Sequence, residues 1–306
     1  MTTLRLGTRK SPLALAQAHL AQEALSHEGI STKIVCYQTS GDLNKKPLRF
    51  TEGKGLFIKE LEQGLLNGDI DLAVHSYKDI PYELTPGLII AGVLKREDAR
   101  DVMLTSSPLP KNAFKTFPGM IGTCSLRRNI QLQSLFPKAR IVDIRGNIQT
   151  RIRKMQEGAV DALVLAYAGL KRLAYNDHIA YVFPIDELIA SPTQGTIALQ
   201  CRDKDFHIQN ILQSCNHSPT QDMSHIERGF VTAIEGTCQT PLAGHAHVLN
   251  GHIIFKGMLA APDGSGLVKI DDSCPLAKIE NFFHHGYMLG QQILKMHHEN
   301  THYPKS

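Results

Sequence analysis

The stretch Asp71-Leu-Ala-Val-His75-Ser76-Tyr-Lys78-Asp79-Ile-Pro81 sets four chemically able side chains, His75, Ser76, Lys78 and Asp79, within five residues. A carboxylate beside an ammonium group stays ionised easily. A fixed carboxylate can steady a developing cation or manage a proton. The apolar run Leu72-Ala73-Val74 ahead of it reads as a buried strand, so the polar group falls at a strand's carboxyl end. In α/β proteins that end is where ligands and catalytic groups collect. A strand-end salt bridge and turn is the structural alternative for this stretch taken alone.

Three further turns share its character. Thr8-Arg9-Lys10-Ser11-Pro12 follows the short strand Leu4 to Gly7, and Ser11 with Pro12 is a strong helix start. Gly122-Thr123-Cys124-Ser125-Leu126-Arg127-Arg128 repeats that arrangement. Arg145-Gly146-Asn147 opens a helix carrying Arg151 and Arg153, with no acidic residue at helical spacing before Glu157. Arginines at helix amino ends without local carboxylates point to bound anions, and guanidinium forks suit carboxylates or phosphates. Gly53-Lys54-Gly55 lets backbone and ammonium approach a ligand together, although it lacks the full phosphate-loop pattern. Cys238 stands in a polar loop between Gly236 and Pro241, available as a nucleophile or attachment point. Cys36 and Cys201 lie in apolar segments, as structural cysteines do.

The elements that must position these groups alternate. A helix after Pro12 carries the apolar stripe Leu13, Leu15, Ala16, Leu20 and Leu25 and closes at Gly29. Strand Lys33 to Tyr37, a polar loop from Thr39 to Gly53 read as a mobile lid, and helix Ile58 to Leu66 come next. Strand Leu88 to Leu94 leads into Arg96-Glu97-Asp98-Ala99-Arg100-Asp101, a charge cluster expected to form solvated ion pairs at a hinge. Strands Ala139 to Ile144 and Asp161 to Ala166 belong to a second domain that repeats the first. After the polar turn Ser191 to Gly195, strand Thr196 to Cys201 returns to the first domain as a second crossing. Helix Ser224 to Ile234, strands His245 to Leu249 and His252 to Leu259 joined by Asn250-Gly251, and a helix from Leu276 to Met296 complete the chain. The polar residues from His297 to His302 are expected as a solvated tail.

The expected fold is therefore α/β in three domains: two periplasmic-binding-protein-like lobes joined by hinge crossings, and a smaller carboxyl-terminal α/β domain with an antiparallel sheet. Residues 1–96 with about 196–215 form domain 1, residues 97–195 domain 2, and residues 216–306 domain 3. A length of 306 residues suits that division, and 42% hydrophobic with 20% charged residues is ordinary for a soluble globular protein. Met1 to Gly7 reads as a strand rather than a signal peptide, and no window approaches a membrane span. Six cysteines without close paired spacing indicate neither a metal site nor a disulfide framework, so a reducing cytoplasm is expected.

Together these stretches resemble the porphobilinogen deaminase (hydroxymethylbilane synthase) family of tetrapyrrole biosynthesis, from Arg5 to about Leu294. The motifs are Gly7-Thr8-Arg9 with Ser11 to Ala14, Gly53 to Phe57, Val74 to Asp79, Gly122 to Arg128, Arg145 to Arg151, Ala168 to Arg172, Gln194-Gly195 and the Cys238-Gln239 loop. The resemblance implies stepwise condensation of four porphobilinogens with loss of ammonia, giving hydroxymethylbilane. It implies a covalent dipyrromethane cofactor on Cys238 by thioether, a catalytic Asp79, and a monomer. Cofactor and substrate carboxylates are then met by Arg9, Ser11, Lys54, Ser76, Lys78, Thr123, Ser125, Arg127, Arg128, Arg145, Arg151, Arg172 and Gln194. Three positions depart from the family's pattern: Phe50 where a second lysine is usual, with Arg49 beside it, Cys124 for serine, and Thr237 for glycine or alanine.

A non-catalytic, two-lobed anion-binding or sensor protein is the alternative, and the Cys238 loop and third domain argue against it. Nucleic-acid binding is disfavoured by a net charge of only +4, by the absence of Trp, and by the lack of basic–aromatic interleaving.

Overall fold

A computed structural model describes residues 3–39, 58–106, 116–237 and 239–302. The first elements are β1 (Leu4–Arg9), α1 (Pro12–His27), β2 (Thr32–Tyr37), α2 (Lys59–Leu66), β3 (Leu72–Ser76), a 3-10 turn Tyr77–Asp79, and β4 (Leu88–Val93). Next come β5 (Asp101–Thr105), β6 (Met120–Gly122), α3 (Leu126–Leu135), β7 (Arg140–Val142), α4 (Ile148–Gln156), β8 (Ala162–Ala166), α5 (Tyr167–Arg172) and β9 (Ile179–Val182). The chain finishes with β10 (Ile197–Arg202), α6 (Phe206–Ser214), α7 (Ser218–Ile234), β11 (Leu242–Leu249), β12 (His252–Leu259), β13 (Val268–Pro275) and α8 (Phe282–His302).

Two compact units result. The first takes Met1–Glu97 with Gly195–His225, the second Asp98–Gln194 with Ile226–Ser306. In the first, five strands run β2-β1-β3-β10-β4; β1 is parallel to β2 and β3, and β10 is antiparallel to both its neighbours. In the second, β7-β6-β8-β5-β9 repeats the plan, with β5 as the antiparallel strand. The expected repeat and the return of the strand after Gly195 are both found. A third sheet, β11-β12-β13, is antiparallel throughout. Its first hairpin turns on Asn250 and Gly251, both with positive φ (50° and 76°), as a two-residue turn requires.

Several expectations need correction. Helix α1 buries Ala14, Gln17, Ala18, Ala21 and Leu25, whereas Leu20 is 40% exposed. Small residues let the helix lie close on the sheet, so size misleads about which face is inside. Cys36 is exposed, being on the edge strand β2, while Cys201 is buried. Asp101 is not part of a solvated cluster: it opens β5 and is fully buried, while Asp98 and Arg100 do pair near the surface. Strand β13, which the pattern does not announce, completes the third sheet, and the last helix begins at Phe282. His297 lies within α8 and bonds through Nδ1 to the Gly266 carbonyl at 2.7 Å, so it is no solvated tail. Gly286 of α8 sits against the Ile226 carbonyl of α7, where a Cβ would collide with backbone. Of the polar loop expected as a lid, Thr39 to Gly53, only Thr39 is among the described residues, and it is buried.

Candidate functional site

In the first unit, the parallel pairing of β1 with β3 brings the carboxyl ends of both strands to one edge of the sheet. Ser11 caps α1 there, its Oγ accepting from the Ala14 N–H at 3.3 Å. The buried hydroxyl of Thr8 donates to the Ala14 carbonyl at 3.1 Å and fixes the turn between them. Ser76 closes β3 and is held by Gln17 of α1 across 2.8 Å, so the two strand ends are tied through one helix. Asp79 follows on the 3-10 turn, half-buried, with no hydrogen bond or ion pair to any described residue. A partly desolvated carboxylate kept clear of partners remains available to a bound cation. Arg9 and Lys78 lie at the same strand ends, both half-buried.

In the second unit the repeated turn is wired differently. Thr123 Oγ1 accepts from Ser125 N–H at 3.3 Å, and Ser125 Oγ accepts from Arg128 N–H at 3.4 Å, capping α3. Arg127 and Arg128 are 5% and 7% exposed and both reach back to Asp101, at 2.7 and 2.8 Å. Gln194 donates to the same carboxylate at 2.8 Å and to the Ala99 carbonyl at 2.7 Å. Arg127 also donates to the Ile189 carbonyl and Arg128 to the Val164 carbonyl, at 2.6 and 3.2 Å. Against the cost of burial, the two guanidiniums hold the Asp101 carboxyl far below the usual carboxylate range. Burial lowers the pKa of Arg127, and Asp101 opposes that shift.

Two cations against one anion leave the cluster with a net positive charge in a low dielectric. The Arg128 Nε is shielded from solvent and has no hydrogen-bond partner. Both features call for a further anionic acceptor, so these residues fit a group bearing carboxylates. Arg145 and Arg151 flank Gly146, whose φ of 119° turns the chain into α4. Asn147 Oδ1 caps that helix through the Thr150 N–H at 2.8 Å, and Arg151 Nε donates to the Gly146 carbonyl at 2.7 Å. No ion pair reaches Arg151 among the described residues; Glu157 pairs with Arg153 instead, at 3.6 Å. Arg172 ends α5, half-buried. Lys54 and Cys238 lie outside the described residues. Beside Cys238, Thr237 N–H donates to Thr240 Oγ1 at 3.0 Å and Gln239 N–H to Thr237 Oγ1 at 3.2 Å.

Gln17 and Asp101 were not singled out in the sequence. Gln17 gave one signal, a polar residue on the buried face of a helix. Asp101 gave none, since its partners come 26 and 27 positions later.

A buried cationic cluster in the second unit and, in the first, a carboxylate with no hydrogen bond or ion pair to any described residue each stand at strand ends of an α/β sheet. The family model described as porphobilinogen deaminase, dipyromethane cofactor binding domain, matches residues 4–210. The model of the porphobilinogen deaminase C-terminal domain matches residues 223–294. The chain is 42% identical over 286 residues to the chloroplastic porphobilinogen deaminase of Oryza sativa subsp. japonica, covering 90% of this chain and 79% of that one. It is 41% identical over 287 residues to porphobilinogen deaminase from Syntrophotalea carbinolica, covering 91% and 89%. Among solved structures, the periplasmic VFT2 domain of Bordetella pertussis BvgS aligns at a TM-score of 0.40 and 14% identity, covering 69% and 86%.

The chain belongs to the porphobilinogen deaminase family. It is a transferase of tetrapyrrole biosynthesis that works with a dipyrromethane cofactor. No helix among the described residues is long and apolar enough to cross a membrane.

Proposed function

We propose that Asp79 is the catalytic carboxylate of this condensation and that the arginine turns hold the carboxylates of cofactor and growing chain. Cys238 anchors the cofactor by a thioether. Bound dipyrromethane supplies the pyrrole end to which the first substrate is joined. The Asp79 carboxylate on the turn after β3, without a partner among the described residues, is the observation that carries this reading. Loss of ammonia from porphobilinogen leaves a cation on the substrate, and attack by a pyrrole makes another. A fixed anion there stabilises both and accepts a hydrogen bond from the pyrrole N–H.

Porphobilinogen carries an acetate and a propionate, so each added ring brings two negative charges. Arg9, Lys54, Lys78, Arg127, Arg128, Arg145, Arg151 and Arg172 answer that charge. Ser11, Ser76, Thr123 and Ser125 add short polar groups at the helix starts and strand ends, and Gln194 steadies the Asp101 carboxylate beneath the arginines. Residues 1–96 with about 196–215, residues 97–195 and residues 216–306 serve as three domains in this reading. The protein works as a cytoplasmic monomer, with no nucleic-acid or membrane partner.

Intact mass after denaturation and turnover, measured together on wild type, Asp79→Ala and Cys238→Ser, test the assignment. Wild type and Asp79→Ala are expected to carry the mass of two linked pyrrole units, which Cys238→Ser lacks. Asp79→Ala is expected to turn over about 10³-fold more slowly or worse. Near-normal turnover in Asp79→Ala, or a bare polypeptide mass for wild type, would overturn it.

A further inference from the structure

One buried polar chain in the first unit is not used by the roles above. Thr85 Oγ1 donates to Glu62 Oε2 at 2.7 Å, and Gln200 Nε2 donates to Glu62 Oε1 at 3.0 Å. Gln200 Oε1 then faces His75 Nε2 at 2.9 Å. The members come from α2, β10 and β3, and from the loop before β4. His75 is 4% exposed and Gln200 fully buried.

The order of donors fixes the hydrogen positions. A carboxylate only accepts, so the Gln200 amide must turn its NH2 toward Glu62 and its oxygen toward His75. That oxygen also only accepts, so His75 carries its proton on Nε2. Nδ1 is left with a lone pair and no partner among the described residues. Burial and the nearby Arg9 cation keep the ring neutral, with a pKa near 4, against the opposing bond to Gln200. Among the described residues, the charged groups around it are Arg9 on β1, Glu62 behind Gln200, and Lys78 and Asp79 on the 3-10 turn after β3. A neutral acceptor four residues before the proposed catalytic carboxylate, among cations that cannot accept, meets a need the arginines leave open. Porphobilinogen has N–H donors at its pyrrole ring and aminomethyl group as well as carboxylates.

We propose that His75, locked as the Nε2–H tautomer by Gln200 and Glu62, binds an N–H donor of the substrate through Nδ1. The inference rests on the reading of the Asp79 turn as the place where substrate reacts. It makes Gln200 and Glu62 positioning residues, acting through His75.

Histidine-selective ¹⁵N spectra of the cofactor-loaded protein should show His75 as the neutral Nε2–H form from pH 8 to about pH 5. Adding porphobilinogen to loaded Asp79→Asn, chosen to stop turnover, should move the Nδ1 resonance toward its hydrogen-bonded range. In Gln200→Glu the facing carboxylate should raise His75 protonation toward neutral pH. His75→Asn places an amide oxygen near the Nδ1 position, whereas His75→Gln keeps only the Nε2 side. His75→Gln should therefore raise KM about 3- to 10-fold with kcat within about twofold, and His75→Asn should restore KM. An Nδ1–H tautomer, or an Nδ1 signal unmoved by substrate, would overturn the proposal even if the variants fail to fold. Full turnover by Asp79→Asn would instead sink the underlying reading of the turn, while the tautomer result would still stand.

Discussion

Asp101 accepts from two guanidiniums and an amide at once, and all of them are buried. Its negative charge is what makes burial of Arg127 and Arg128 tolerable. Asp101→Asn keeps the shape and removes the charge, so two cations would remain buried without their anion. Stability at pH 7 should fall by about 3–5 kcal/mol, read from the urea midpoint. The pH dependence has a definite sign. The carboxyl titrates lower in the folded chain than in the unfolded one, so its contribution is complete above about pH 4 and fades only under stronger acid. The gap between wild type and Asp101→Asn should therefore be unchanged from pH 7 to pH 5 and narrow only below pH 4 or so. An equal gap at pH 7 and pH 2 would show that the charge is not what matters.

Among the elements, caps decide where the site's side chains stand. Asn147 sets the first turn of α4, from which Arg151 projects beside Gly146. Asn147→Ala should cost about 1 kcal/mol and speed amide exchange at Thr150 and Arg151 before it affects the rest of the unit. Uniform exchange rates across the unit would refute a local effect. Caps and tight turns were also what the sequence displayed best: Ser11-Pro12, Ser125 and Asn250-Gly251 each carry their chemistry within a few residues. Burial was harder to read. The inward face of α1 is alanine with one glutamine, while a leucine faces out. Strand β13 alternates Val268 and Ile270 inward with Lys269 and Asp271 outward for only a few positions, too short a pattern to announce it. The basic turns were legible because each is local. The wiring beneath them was not, because Asp101, Gln200 and Glu62 find partners that only the folded sheets bring near.

At the scale of the whole molecule, each repeated sheet has its antiparallel strand supplied by a segment next to a crossing. For the first unit that strand is β10, paired on both sides. Residues 1–97 alone lack it, leaving β4 without a partner and β3 with an open edge. A fragment ending at Glu97 should lack cooperative unfolding by circular dichroism, and one carrying residues 195–225 joined by a short linker should regain it. Cooperative unfolding of the shorter fragment would show that β10 is dispensable. The division into units rests on long-range pairing, which no window of sequence displays.

The late arrival of β10 also bears on how the protein is made. A ribosome that has finished β4 must add roughly a hundred more residues before β10 exists, about 5–20 s at ordinary elongation rates. The five strands of the second sheet, Asp101 to Val182, are complete before then. The nascent chain thus carries a finished second sheet while the first waits with two hydrophobic edges open. Those edges invite pairing with other chains, so growth of the polypeptide, rather than its finished state, is the interval in which it most needs a chaperone.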